Sequence, residues 1–405
     1  MAVLKLGTVD MGKMPADKGE FLQPYHRWMA THLRDREQFR DEANNAWNDF
    51  VEMQGKEVLR IQTFLKNKGF FPNCQFSGIY GYGTQAAVRL FQEYVHNIEG
   101  DKSIGAPDGI VGDNTWKHMM RWEAGDIKNT WAQFGIDNPS QEYKDWMAIL
   151  NAAKKHYMTA KNVILDQIRN APSTGDTLPP EEWSFDPRET HLIGIRRHQE
   201  VARQDRENDD LFILLIKGLA FTFWGSTDPS SKMADRTDEA FLVEGQHKYR
   251  LSWHKISNAT KIYKALRPYS KGVLVYRDVI NDNALTDADI KKGLDVPNMT
   301  INIHWSGDGG LNFSAGCQVI AGRSYISPEG RIIDCSEYSS PSYAGLAQGR
   351  TRGAYNVLSD LVVCYNQLGN NRVWYMLGRE SNLSEIDDRF PPDFTKDTVQ
   401  KLKSI

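Results

Sequence analysis

The residues best suited to chemistry lie between positions 302 and 320. Asn302-Ile303-His304-Trp305 reads as a strand presenting an imidazole at its end, followed by a loop with Gly307, Gly309 and Gly310. Ser314-Ala315-Gly316-Cys317-Gln318-Val319-Ile320 comes next, so that Cys317 opens a second strand out of a Ser-x-Gly turn. A cysteine attacks as its thiolate, and a neighbouring imidazole supplies that form by taking the proton. The glycines let the chain double back, which brings base and thiol close together. Small residues ahead of Cys317 leave backbone N–H groups to hold an oxyanion. Such a pair suits acyl transfer through a thiol, although a cysteine at a strand start taken alone is more often a small core residue.

Other side chains join this constellation as expectations. Trp305 is placed to wall the pocket. His254, in Ser252-Trp253-His254-Lys255, is a candidate for orienting substrate, and Gln318 for contacting it. Arg277, after the strand Val273–Tyr276, can bind a substrate carboxylate or pair internally with Asp278. Zinc chemistry would require two or three convergent ligands. His191 and His198 are seven apart, and His247, His254 and His304 are dispersed, so neither a metal nor another cofactor is expected.

The second half, which must position these residues, reads as mainly β. Short apolar or alternating runs occur at Leu211–Ile216, Leu219–Trp224, Lys248–Leu251, Val273–Tyr276, Thr300–Ile303, Gln318–Ala321, Arg331–Asp334 and Val373–Leu377. One helix interrupts them, with Ala354, Val357, Leu358, Leu361, Val362, Tyr365 and Leu368 on its face. After Arg379 the chain is polar, and Pro391-Pro392 argues against regular structure. The first half is helical, with apolar stripes over Tyr25–Val51, Val58–Leu65, Ala87–Val95 and Gln141–Arg169. Between the halves, Asn170–Pro180 is rich in Pro, Gly, Ser and Thr and marks the boundary.

Two turns in the first half are related. Ser77-Gly78-Ile79-Tyr80-Gly81-Tyr82-Gly83-Thr84 and Asp108-Gly109-Ile110-Val111-Gly112-Asp113-Asn114-Thr115 share a Gly-Ile-x-Gly core and a following Thr, 31 residues apart. Glycine takes the positive-φ position, the Ile anchors the loop, and short polar groups meet the N–H groups of the next helix. Framed by Leu59, Phe64 and Leu65 and by Ala87–Gln92, the stretch Val58–Met120 resembles the small three-helix peptidoglycan-binding domain found beside many cell-wall enzymes. The resemblance implies a wall-binding module in which Gly78, Ile79, Tyr80, Asp108, Gly109, Ile110 and Trp116 take part.

The Leu211–Ser336 region is similar to an L,D-transpeptidase. That family carries an upstream His in a strand and a downstream Ser/Thr-His-Gly-Cys turn, which implies His304 as general base, Cys317 as acyl-accepting nucleophile, and Ser314 and Gly316 as shapers of the turn and the oxyanion site. Thr227-Asp228-Pro229 and Glu244–Tyr249 resemble flanking segments of the same family. Two positions depart from the pattern: Ala315 replaces the second His of the turn, and Gln318 stands where an Arg usually helps to bind the substrate carboxylate. The His304-to-Cys317 spacing of 13 residues is also shorter than is common there. Asp334-Cys335-Ser336 resembles a run in another class of wall-cleaving cysteine peptidases whose His follows the Cys. No His follows His304, so Cys335 is expected to be a strand-end core thiol.

The expected architecture is thus multidomain, α plus mainly β: an N-terminal helical segment (1–54), a peptidoglycan-binding three-helix module (55–122), a helical connector (123–170), a linker (171–189), an L,D-transpeptidase-like β-sandwich domain (190–380) and a polar tail (381–405). With 405 residues no staple is needed to build these cores, and four cysteines are too few for a disulfide framework. A formal charge of −3 argues against a polybasic nucleic-acid binder, and the most apolar stretch, Leu211–Trp224, is too short to span a membrane. Peptidoglycan is the expected partner, with a larger phage or injection assembly as a further one. The N-terminal residues lack the charged, apolar and small-residue order of an export signal, so action at the wall or periplasm is expected to follow delivery, by a phage, effector or lysis route. A non-catalytic wall-binding component of a phage tail or injection machine is the alternative.

Overall fold

The computed structural model describes residues 3–15, 50–197, 208–230, 239–255, 261–279, 284–310, 312, 314–366, 371–387, 390–391 and 393–405. The helical stripe expected over Tyr25–Val51 lies almost wholly outside these residues. The first body begins with two short strands, β1 (Thr8–Val9) and β2 (Val51–Glu52), paired in parallel. Three helices follow: α1 (Glu57–Asn67), α2 (Tyr82–Glu93) and α3 (Asp113–Ala124). In α1, Val58, Ile61, Phe64 and Leu65 recur at three- and four-residue steps, so one face is apolar and buried. The helix stops before Gly69, whose φ of +85° and close approach to Ala132, 2.5 Å from where a Cβ would sit, only glycine accepts. Phe64, Phe70, Phe91, Tyr94, Trp122 and Trp131 meet edge-on or tilted at the centre of the module.

The stripe expected as one helix over Gln141–Arg169 is instead two, α4 (Gln141–Tyr157) and α5 (Val163–Asn170). Asn162 ends the continuity by capping the second: its side chain accepts from the Leu165 N–H. The segment read as linker is tied down. Asp176 accepts N–H bonds from Ser270, Lys271 and Gly272, and β3 (Thr177–Leu178) pairs with the sheet that follows.

That sheet holds β4 (Thr190–Arg196), β5 (Asp210–Ile216), β6 (Leu219–Ser226), β8 (Gly245–His254) and β9 (Tyr263–Pro268), with β7 (Ala240–Leu242) and β10 (Val275–Arg277) paired separately. A short helix, α6 (Asp287–Lys292), precedes β11 (Ile303–Trp305), β12 (Gln318–Ile320), β13 (Ser324–Ile326) and β14 (Ile332–Asp334). Then come α7 (Tyr343–Ala347), α8 (Ala354–Tyr365) and β15 (Arg372–Arg379). Hydrogen bonding runs β12-β11-β9-β8-β15-β4-β5-β6, and β12 also pairs with β6. The path therefore closes on itself like a barrel rather than dividing into the two facing sheets of the expected sandwich, because the three-residue β12 bonds on both edges.

β4, β5 and β6 are buried on both faces. Leu192, Phe212, Leu214 and Tyr375 pack on the side of α8 and the three-helix module, whereas Ile193, Leu211, Ile213 and Met376 face α4 and α5. The module is docked, not tethered. Arg89 of α2 makes a two-point ion pair with buried Asp360 of α8 at 2.7 and 2.8 Å, and Lys264 of β9 shares that carboxylate. Glu93, fully buried, accepts from Tyr338 at 2.6 Å, Tyr325 at 3.0 Å and Asn97 at 2.7 Å. A buried carboxylate met by this many donors joins the two halves strongly.

After Arg379, where no regular structure was expected, lie α9 (Glu380–Ile386) and α10 (Phe394–Lys403). In α10 the buried Thr395, Val399 and Leu402 form a stripe too short to stand out among charged neighbours.

Candidate active site

Cys317 lies one residue before β12. Two hydrogen bonds shape its turn: the Ser314 hydroxyl donates to the Cys317 carbonyl at 2.8 Å, and the Gly316 N–H donates to the Ser314 hydroxyl at 3.2 Å. Gly316 has φ +150°, and a Cβ there would meet the Ala240 carbonyl of β7 at 2.7 Å. Ser314 and Gly316 thus do shape the turn, but their N–H groups are used inside it: that of Ser314 goes to Asn312 and that of Gly316 to Ser314. The sulfur donates to the Thr300 carbonyl at 3.3 Å and accepts from the Asn302 N–H at 3.4 Å. Cys74, Cys335 and Cys364 are buried, and Cys317 is partly open. Its burial still raises the thiol above its ordinary pKa, against the lowering effect of the Asn302 N–H, Ser314, Lys255 and Arg267.

The register places His304 on the same ladder. β11 runs parallel to β12 with Ile303 opposite Gln318 and His304 opposite Val319. Asn302 and His304 therefore share a face with Cys317 and Val319, and His304 and Cys317 are diagonal neighbours. The imidazole is held by its far nitrogen: Nδ1–H donates to the Trp305 carbonyl at 2.9 Å and leans on the Tyr263 hydroxyl oxygen at 3.3 Å. A carbonyl only accepts, so this bond fixes the neutral tautomer with its lone pair on Nε2. Burial pushes the His304 pKa down to about 4, helped by Lys255 and opposed by the Trp305 carbonyl. The ring is a neutral base at any pH near 7.

His254 stacks on His304, ring centroids 4.2 Å apart and planes 16° from parallel. Burial, then His304, lowers its pKa as well. Its Nδ1 accepts from Asn302 Nδ2 at 3.3 Å. Asn302 is 7% exposed, and among the described residues its Oδ1 has no hydrogen-bond partner. Tyr263, Lys255 and Arg267 were given no role in the sequence, where no spacing links them to His304 or Cys317, whereas Asn302 could have been found from its place two residues before His304 on the same strand face.

Three expected contact residues lie elsewhere. Gln318 is fully buried behind Cys317, donating to the Thr227 carbonyl at 2.9 Å and accepting from Tyr375 at 3.0 Å. Strand alternation turns it away from the thiol and into a polar network with Arg196, Thr227 and Asp210. Trp305 likewise points away from the His304 face and packs edge-on against Tyr343. Arg277 pairs with Asp295 at 2.7 Å, not with Asp278.

In the module, Gln62 of α1 donates to the Ile79 carbonyl and Thr84 and accepts the Gly78 N–H. Gln92 of α2 does the same for Ile110, Thr115 and Gly109, and also reaches Asp108. Tyr80 is buried and donates to the Gly109 carbonyl at 2.9 Å, linking the two turns. Trp116 is buried beneath Arg60, while Ile110 is exposed. These residues build the module's frame. Residues 54–119 match the family model of a peptidoglycan-binding domain.

The chain therefore carries a peptidoglycan-binding domain ahead of its β-rich half. No curated protein matches the chain. One solved structure, a fused Zn-dependent amidase/peptidase/peptidoglycan-binding domain-containing protein from Clostridium acetobutylicum, overlaps 80% of this chain and 96% of its own at 12% identity. Its TM-score of 0.21 is too low to carry a fold assignment. Among the described residues, no group of three His, Cys, Asp or Glu side chains is placed to hold a metal, and no helix is long and apolar enough to cross a membrane.

Proposed function

We propose that the protein is a peptidoglycan-targeted cysteine enzyme of L,D-transpeptidase type, acting on the peptide stems of the wall. The observation that carries this reading is the anchoring of His304 Nδ1–H on the Trp305 carbonyl, which leaves Nε2 as the free base on the ladder shared with Cys317. Rotation of the thiol away from the Thr300 carbonyl presents it to that nitrogen. Sulfur then attacks a stem-peptide carbonyl as its proton passes to Nε2. The tetrahedral intermediate collapses, the C–N bond breaks, and His304 returns the proton to the leaving amine. Water or a second amine attacks the thioester, His304 takes its proton, and the thiol is restored. Water gives hydrolysis; an amine gives a new cross-link.

One observation favours the second reading, a non-catalytic wall-binding component of a phage tail or injection assembly: the resting thiol is held by backbone groups and its pKa is raised. Incubation with purified peptidoglycan separates the two. Altered muropeptides that disappear in Cys317→Ala, with wall pull-down intact, support the enzyme. Identical muropeptide profiles from both proteins leave only the binding role.

A further inference from the structure

A cleft of about 430 Å³ lies where the docked module meets the β half. Pro107 and Asp108, from the module's second turn, form one wall. The other carries Lys261, Arg350 and Arg352 together with the apolar side chains of Tyr343, Leu346 and Ala347. Arg350 is anchored on the Ser339 carbonyl at 2.8 Å, and Lys261 lies over the Tyr343 ring at 5.4 Å. Arg89, also at the cleft, is already paired with Asp360.

Arg352 is the unusual member. Its guanidinium lies 4.4 Å over the Tyr263 ring and 5.3 Å over the Trp305 ring. Its Nε is buried and has no hydrogen-bond partner, and among the described residues no carboxylate pairs with it. A largely enclosed cation that finds only aromatic faces lacks the anion that normally offsets its desolvation. Tyr263, beneath it, touches His304 through its hydroxyl. The unmatched charge thus lies one aromatic ring away from the proposed catalytic base, on the Trp305 side of β11, in the place where the module and the β half share a surface.

We propose that this cleft is a binding site for a carboxylate of the peptidoglycan stem peptide, with Arg352 as its principal cation and Arg350 and Lys261 around it. The proposal rests on the reading that the chain acts on the wall. A planar guanidinium matches a carboxylate in two parallel hydrogen bonds, and the Leu346 and Ala347 wall suits the small apolar side chains of a stem. Asp108 in the same cleft disfavours a dianionic phosphate. The site supplies the carboxylate recognition that Gln318, facing inward, does not. It also gives the rigid docking of the module a use: glycan and stem of one strand can be held across a single surface.

The test is calorimetric titration of a soluble stem tetrapeptide into the catalytically inert Cys317→Ala protein, alone and with Arg352→Met or Arg352→Lys. Arg352→Met should weaken binding about 10- to 100-fold, the size of a hydrogen bond to a charged group, with Arg352→Lys in between. Its thermal midpoint should hold or rise, because a half-buried charge with no carboxylate partner among the described residues is removed; a purely structural arginine would instead lower it. The same peptide with its carboxylates amidated should lose as much on the unmodified Arg352 background, an arm that needs no variant to fold. Equal binding of free and amidated peptide overturns the proposal, as does inorganic phosphate binding with the same affinity and the same Arg352 dependence. Carboxylate-dependent binding without Cys317-dependent turnover would leave this site standing and remove the enzyme reading. Turnover without carboxylate dependence would do the reverse.

Discussion

The glycine turns of the module and the glycine turn at Cys317 use the same residue types toward opposite ends. In the module, Gly78 and Gly109 open the turn and a glutamine from the neighbouring helix closes it, bonding the glycine N–H, the Ile carbonyl and the Thr hydroxyl together. At Cys317 closure is one-sided. Behind the turn, Gln318 is satisfied by Thr227 and Tyr375; in front, the sulfur is partly open and the Asn302 Oδ1 has no partner among the described residues. The module's turns satisfy their polar atoms, and the turn at Cys317 leaves some of them unmatched among the described residues.

The strongest way to break this contrast is to reverse Gln318. Gln318→Arg introduces the residue type common in L,D-transpeptidases, yet places a charge in a buried network already containing Arg196. The expected outcome is a loss of about 3 kcal/mol or more in a urea titration, with no gain in substrate affinity. Tighter substrate binding at unchanged stability would mean that the side chain can face the cleft.

Opening a closed turn should cost somewhat less. Gln92→Leu leaves the Gly109 N–H unpaired and the Ile110 carbonyl with only the Thr115 hydroxyl at 3.3 Å, for an expected loss of roughly 2 kcal/mol by the same titration. Gln62→Leu should cost no more, since the Ile79 carbonyl keeps the Gly81 N–H at 2.9 Å and only the Gly78 N–H is left open. A much smaller loss in either would show that water replaces the clamp.

The smallest effect is on pH dependence. His304 must be neutral to take the thiol proton, and its pKa is depressed to about 4. The rate should therefore be lost only as pH falls through about 4, with no acid limb near the ordinary imidazole value of about 6.5. Stability follows the same sign: an unfolded His304 binds a proton more readily than the folded one, so its contribution is complete above about pH 6.5 and declines toward 4. His254→Ala, which uncovers the ring, should move the kinetic limb upward. A wild-type limb near 6.5 would show that His304 is not enclosed as described.

What the sequence made legible follows from how locally each feature is encoded. The paired Gly-Ile turns, the apolar stripes of α1 and α2 and the His304-to-Cys317 loop are written in adjacent residues. Gln62 and Gln92 went unnoticed because a glutamine on an apolar helix face looks like ordinary surface, although both occupy the same place in the repeat. His254 was named from its own segment, but its stacking on His304 comes through β8, and Tyr263 reaches His304 only through β9, so no local pattern marks either contact. β4 and β9 were missed as strands. β4 lacks alternation because both its faces are covered, and the charged Lys264 and Arg267 obscure the pattern of β9. For Gln318 the resemblance supplied a substrate-side position that strand alternation reverses.

Intact-mass spectrometry of the protein mixed with soluble stem peptides tests the central claim most directly. The expected result is an acyl adduct mapped to Cys317, with the mass of the donor less its leaving group, absent in Cys317→Ala and strongly reduced in His304→Gln. Altered muropeptides with no adduct at Cys317, or an adduct that persists in Cys317→Ala, would contradict it.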